Sequence, residues 1–99
     1  MNKENYLFEL NGTHFQREIN TTYEKIKKIY GLPARDVDSY KVDAEWQINT
    51  PHGIGTIYNY KDGKNYLGKE GLNRTEITEW HIGGHNPETA EYITKELLN

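Results

Sequence analysis

Hydrophobic and polar residues alternate strictly from Lys41 to Ile48. The apolar positions are Val42, Ala44, Trp46 and Ile48. A period of two is typical of a β-strand with one buried face, because successive side chains point to opposite sides of a sheet. The pattern therefore predicts a strand over 41–48 whose acidic residues, Asp43 and Glu45, lie side by side on the outward face.

Further upstream the spacing of apolar residues changes to three and four, which is typical of a helix. The spacing is carried by Ile19, Tyr23, Ile26 and Ile29 or Tyr30. A helix is predicted from about Thr22 to Tyr30. Thr21 with Glu24 three residues later fits a capping box, and Gly31 stands where a left-handed residue ends a helix.

Turn signals predict two hairpins. Tyr6–Leu10 is predicted to be a short strand, and Asn11-Gly12 favours a tight turn to a partner strand over His14–Ile19. A second turn at 50–53 would connect the Trp46 strand to a strand over Ile54–Tyr60. The fold would then contain at least one hairpin in its centre.

The C-terminal third predicts one strand and one helix. Glu76–Ile82 would place Trp80 on the same face as Ile82. Asn86 is an N-cap candidate and Pro87 suits the first helical position. The apolar stripe of this helix is predicted to contain Ala90, Ile93, Leu97 and Leu98.

These elements predict an α+β fold in one domain of 99 residues. An antiparallel β-meander of three or more strands would pack one face on two helices, and the N-terminal hairpin would extend the sheet. Trp46 and Trp80 are expected at the centre of the core.

Composition limits the cellular setting and the partners. The chain has no cysteine, and its first residues have no apolar run of signal-peptide length, so we expect an intracellular, cytoplasmic protein. The net charge is −3 and the Lys and Arg residues are scattered, which argues against direct nucleic-acid binding. No membrane association is expected.

Candidates for chemistry are few. His81 and His85 have helical metal-ligand spacing, but Gly83 and Gly84 lie between them, and no spacing supports His52 as a third ligand. We therefore predict no catalytic, cofactor-binding or metal-binding residue. The outward pair Asp43 and Glu45 has three interpretations: a solvated strand face, paired carboxylates for acid–base or metal chemistry, or an imitation of nucleic-acid phosphates.

The segment from Tyr58 to Arg74 is the main candidate for a binding site. Its anchors and charges are Tyr58, Tyr60, Tyr66, Leu67 and Leu72 with Lys61, Lys64, Lys69 and Arg74. Protein interfaces are enriched in such aromatic and cationic residues. A second interpretation is that Tyr66, Leu67 and Leu72 cover the open end of the core. A third is that the cations and tyrosines hold an anionic ligand such as a nucleotide.

Two resemblances add to this picture. The helix and following strand over 20–46 resemble the helix-then-meander units of β-lactamase inhibitor proteins and small outer-membrane assembly lipoproteins. Thr-Ile-Tyr-Asn-Tyr-Lys at 56–61 and Glu-Trp-His-Ile-Gly-Gly at 79–84 are similar to small uncharacterised bacteriophage proteins. The second resemblance implies a phage protein that acts in the host cell by binding and blocking a host component.

The expected function is therefore non-enzymatic inhibition of a host protein or ribonucleoprotein, for example as an anti-CRISPR or another anti-defence protein. The expected partner-binding residues are Tyr58, Tyr60, Lys61, Lys64, Tyr66, Leu67, Lys69, Arg74, Asp43 and Glu45. An alternative is a homo-oligomer that sequesters a small ligand or nucleotide. A small hydrolase or nuclease is the third possibility.

Overall fold

A computed structural model describes residues 13–34 and 42–98. The predicted strand Tyr6–Leu10, its Asn11-Gly12 turn and Lys41 lie outside the described residues. The described elements are β1 (His14–Asn20), α1 (Tyr23–Tyr30), β2 (Glu45–Thr50), β3 (Gly53–Tyr58), α2 (Lys64–Leu67), β4 (Glu79–Gly84) and α3 (Pro87–Leu98), with 3₁₀ turns at Gly68–Glu70 and Arg74–Glu76. None of the described helices is long and apolar enough to cross a lipid bilayer.

The four strands form one antiparallel sheet in the order β1-β4-β3-β2. Strands β2, β3 and β4 are consecutive neighbours, so the predicted meander and the α+β fold are confirmed. Strand β1 extends the sheet by pairing with β4, and its register shifts between Phe15 and Arg17. The sheet therefore brings together β1 and β4, which are far apart in the sequence.

The inner face of the sheet packs on α1 and α3, with two tryptophans at the centre as predicted. The rings of Trp46 and Trp80 lie 5.4 Å apart in an edge-to-face arrangement, and Tyr23 of α1 lies 5.5 Å from Trp46. Trp46 Nε1 donates to the Gly31 carbonyl at 2.8 Å, and Trp80 Nε1 donates to the Ile77 carbonyl at 3.1 Å. Both buried indoles therefore keep a hydrogen-bond partner.

Helix α3 approaches the sheet closely because β3 has a glycine at the contact. A Cβ on Gly55 would lie 2.6 Å from Ile93 Cδ1. The helix begins as predicted, since Asn86 Oδ1 accepts from the Thr89 backbone N–H at 2.9 Å. Tyr30 of α1 donates to Glu96 at 2.7 Å, and burial together with this bond raises the pKa of the Tyr30 phenol.

Several predicted boundaries are displaced. The N-cap of α1 is Thr22 and not Thr21, because the Thr22 hydroxyl accepts from the Lys25 N–H. Gly31 ends the helix with φ of 84°, as predicted. The strand predicted over Glu76–Ile82, which is β4, begins at Glu79 because a 3₁₀ turn occupies Arg74–Glu76. The predicted apolar stripe of α3 is wrong at Leu98, which is 65% exposed and lies outside the core.

Candidate functional site

The outer face of the sheet carries a row of four residues, one from each strand. Glu45 pairs with Tyr58, Tyr58 pairs with His81, and His81 pairs with Glu18. Their inward neighbours, such as Trp46 and Trp80, are buried in the core, so the row faces away from the helices. We call these four residues the outer row. It places a carboxylate at each end of two central rings.

Three aromatic rings surround the His81 imidazole. Phe15 lies 4.8 Å from it, Tyr58 lies 5.4 Å away edge-on, and Tyr60 stacks at 5.6 Å with an interplanar angle of 26°. Phe15 is 53% exposed and Tyr60 is 42% exposed. The sequence pattern predicted that His81 faces solvent; it lies on the outer face, but its side chain is only 22% exposed. These rings form a cluster in which Phe15 and Tyr60 remain about half exposed.

The outer row also holds a half-buried carboxyl group. Burial raises the pKa of Glu45, and a hydrogen bond of 3.1 Å from the Gln47 side-chain amide partly opposes the rise. Burial, followed by the nearby charge of Glu45, raises the pKa of the Tyr58 phenol. The ionised Glu45 is thus less well solvated here than in an unfolded chain.

Glu45→Gln is expected to stabilise the protein at neutral pH. The folded state holds the Glu45 proton more tightly than the unfolded chain does. Stability from this group is therefore lost as pH rises from the ordinary pKa of 4.5 through the raised folded value. Thermal melts of parent and variant should differ at pH 7 in favour of the variant, and this advantage should shrink below pH 4.5. An advantage that is equal at both pH values would contradict the assignment.

A buried amide at the end of β3 organises the segment that follows. Asn59 Oδ1 accepts from the backbone N–H groups of Asp43 at 2.7 Å and Ala44 at 3.1 Å. Its Nδ2 donates to the carboxylates of Asp43 and Asp62, at 3.0 Å each. The residue is 0% exposed, so the site supplies these partners without water contact. This explains why β2 begins at Glu45: the two preceding N–H groups bind Asn59.

The carboxylate of Asp43 is engaged within the chain. It accepts from the Asn65 N–H in the first turn of α2 at 3.1 Å, and a Cβ on Gly63 would overlap it. Arg74 donates to the Asp43 carbonyl at 2.6 Å and lies over the Tyr23 ring. The burial pattern keeps the alternation predicted for 42–48, but the hydrogen bonds to Asn59 and Asn65 mean that Asp43 is not a free acid beside Glu45. In the structure, Asp43 and Arg74 anchor the segment to the domain.

The predicted loop over 61–74 has a short helix, α2, and two 3₁₀ turns. Tyr66, Leu67 and Leu72 are between 41% and 46% exposed, and none belongs to the core cluster. They do not cover the core, in contrast to the second of the three interpretations of the sequence. Lys64 and Lys69 are exposed as well. The segment therefore presents apolar and cationic side chains on an anchored backbone.

Lys61 connects this segment to the rings of the sheet. Its ammonium nitrogen lies 5.2 Å from the centre of the Tyr60 ring and 5.4 Å from that of Tyr66. Lys61 has φ of 62°, a left-handed conformation that is unfavourable for a residue with a Cβ. We define the aromatic surface as Phe15, Tyr58, Tyr60, Lys61, Tyr66, Leu67 and His81.

Five members of the aromatic surface were predicted as binding residues from the sequence. They are Tyr58, Tyr60, Lys61, Tyr66 and Leu67. Phe15 and His81 were missed, because the pairing of β1 with β4 that joins them is not visible in a local pattern. The sequence did indicate that His81 lies on the outer face, because it follows the inward residue Trp80 on a strand. It did not indicate which rings surround His81.

Within 13–34 and 42–98, no three His, Cys, Asp or Glu side chains are grouped to hold a metal ion. A depression of about 240 Å³ lies between His52 and the α3 residues Glu88, Glu91, Tyr92 and Lys95. Its lining includes none of the 61–74 cations for which the sequence allowed an anionic ligand.

No protein-family model, curated protein or solved structure matches this chain. The candidate site is therefore defined by the contacts, burial and charges of the chain itself.

Proposed function

We propose that this protein is a non-enzymatic binding protein that docks on a host macromolecule through the aromatic surface. The observation that carries the proposal is the continuity of exposed rings from Phe15 through Tyr60 to Tyr66, joined by His81 and Lys61. Exposed aromatic side chains bury a large area on contact and are the most frequent anchors of protein interfaces.

The anchoring of this surface supports the same function. Phe15 and His81 stand on paired strands, and the segment with Tyr66 is held by Asn59, Asp43 and Arg74. A surface that is already ordered loses little conformational entropy when a partner binds. Rigid anchors of this kind suit a small inhibitor that must bind tightly with limited area.

The proposed biological setting comes from the sequence. Two segments resemble small phage proteins. Segment 56–61 covers the second half of β3 and the residues that follow it, and segment 79–84 is β4. These two segments also contribute Tyr58, Tyr60, Lys61 and His81 to the aromatic surface. We therefore propose a phage-encoded inhibitor of a host protein or ribonucleoprotein in the cytoplasm, with an anti-defence role such as an anti-CRISPR.

A capture experiment tests the proposal. The tagged parent protein and the variant Phe15→Ser/Tyr60→Ser are incubated with lysate of a bacterial host, and retained proteins are quantified by mass spectrometry. Loss of two interface aromatics typically costs about 2 kcal/mol or more each, so the variant should retain less than about one hundredth of the partner. Its melting temperature should remain close to that of the parent.

The matched control is Leu32→Ser/Leu98→Ser, which removes two exposed apolar side chains outside the aromatic surface. This variant should retain the partner as well as the parent does. Equal capture by all three proteins, or a loss with the control alone, would show that the partner binds elsewhere. A parent that retains no host macromolecule in stoichiometric amount would overturn the proposed function.

A further inference from the structure

Among the described residues, the two carboxylates of the outer row contact a neutral amide and an imidazole. Glu45 accepts from the neutral Gln47 amide, and Glu18 lies 3.4 Å from His81 Nε2. Throughout the described residues, no Lys or Arg side chain forms a salt bridge with either carboxylate. The outer row, which shares Tyr58 and His81 with the aromatic surface, thus carries negative charge that a partner can compensate.

The two acids differ in how much a nearby cation would stabilise their negative charge. Glu18 has a side chain that is 65% exposed and is well solvated. Glu45 is half-buried, and burial raises the pKa of its carboxyl group. A cation that reaches Glu45 therefore supplies an interaction that water does not provide, whereas one near Glu18 gains little.

The ring next to Glu45 has the matching chemistry. Tyr58 is its direct cross-strand partner, and aromatic faces carry a negative potential that attracts cations. A flat guanidinium can stack on a ring and donate two parallel hydrogen bonds to a carboxylate, whereas an ammonium cannot do both equally well. As direct cross-strand partners, Tyr58 and Glu45 therefore suit an arginine side chain better than a lysine side chain.

We propose that Tyr58 and Glu45 form the docking position for an arginine side chain of the partner protein. This inference rests on the proposed function and adds the chemistry of the partner at one point of the surface. Strands in a sheet are about 4.8 Å apart, so Glu18 lies roughly 14 Å from Glu45 and cannot contact the same guanidinium. Glu18 instead adds to the long-range electrostatic attraction between this face and a positively charged partner.

The inference can be tested on the isolated protein. N-acetyl-arginine amide is titrated while the NMR resonances of the Tyr58 and His81 rings are followed. The neutral isostere N-acetyl-citrulline amide is the matched probe. We expect saturable shifts with a dissociation constant in the millimolar range for arginine, and binding at least about tenfold weaker for citrulline. Glu45→Gln should abolish the difference between the probes, whereas Glu91→Gln on α3 should preserve it.

Equal shifts with both probes, or an unchanged preference for arginine in Glu45→Gln, would overturn the docking position. The captured partner separates this inference from the proposed function. If Phe15→Ser/Tyr60→Ser loses the partner but Glu45→Gln binds it as tightly as the parent, the arginine site is wrong and the proposed function stands. If Glu45→Gln weakens partner binding by about tenfold, the arginine site is supported.

Discussion

Trp80→Ala is expected to lower the free energy of unfolding by about 3 to 5 kcal/mol. Trp80 is 0% exposed, its ring packs edge-on against Trp46, and its indole N–H donates to Ile77. Truncation would leave a large cavity between the sheet and the helices and an unpaired carbonyl. A domain of this size has little stability in reserve, so the variant should be largely unfolded near 37 °C.

Thermal and urea denaturation followed by circular dichroism measure this effect. Phe15→Ala is the control, because it truncates an aromatic side chain that is 53% exposed, and its expected loss is below about 1 kcal/mol. For a chain of this length the Trp80 variant should melt about 12 °C or more below the parent. A shift of only a few degrees would mean that the inner face of β4 is assigned incorrectly.

Asn59→Ala is expected to cost about 2 to 4 kcal/mol, although it removes no apolar side chain. The change would leave the N–H groups of Asp43 and Ala44 without their acceptor, and the Asp62 carboxylate without an amide donor. Buried polar groups that lose their partner contribute an unfavourable desolvation free energy. Asn49→Ala, at an exposed position of β2, is the matched control and should change stability by less than about 0.5 kcal/mol.

The loss of stability in Asn59→Ala should be concentrated in the 61–74 segment, which Asn59 anchors. Limited trypsin digestion measures this directly, because Lys61, Lys64 and Lys69 are cleavage sites within the segment. Cleavage there should accelerate at least about tenfold in Asn59→Ala and remain unchanged in Asn49→Ala. If the two variants have the same cleavage rate and the same stability, the hydrogen-bond network around Asn59 does not hold the segment.

Elements with a strong periodic pattern could be predicted from the sequence. The alternation that ends in Trp46 and Ile48 defined the inner face of β2, and Gly31 and Asn86 marked helix ends correctly. These features depend on residues that are close in sequence. The α+β fold followed because each pattern required a sheet face to pack on an amphipathic helix.

Features that depend on distant residues could not be predicted. Asp43 continues the alternation of β2, but its carboxylate caps a helix that lies about twenty residues away in sequence. The Asn59 network and the clustering of Phe15 with His81 depend on strand register, which local patterns do not define. The candidate site was therefore found in part, through its exposed tyrosines and Lys61.

The proposed function is tested most directly by measuring where the partner binds on the folded protein. Hydroxyl-radical footprinting of the purified complex, followed by mass spectrometry, measures the exposure of individual side chains without any substitution. The account predicts that the partner protects Phe15, Tyr60 and Tyr66 by at least about threefold, since anchors are desolvated on binding. Tyr92 and Leu98 on α3 should react as in the free protein. Protection of Tyr92 and Leu98, with Phe15 and Tyr60 unchanged, would contradict the assignment of the aromatic surface.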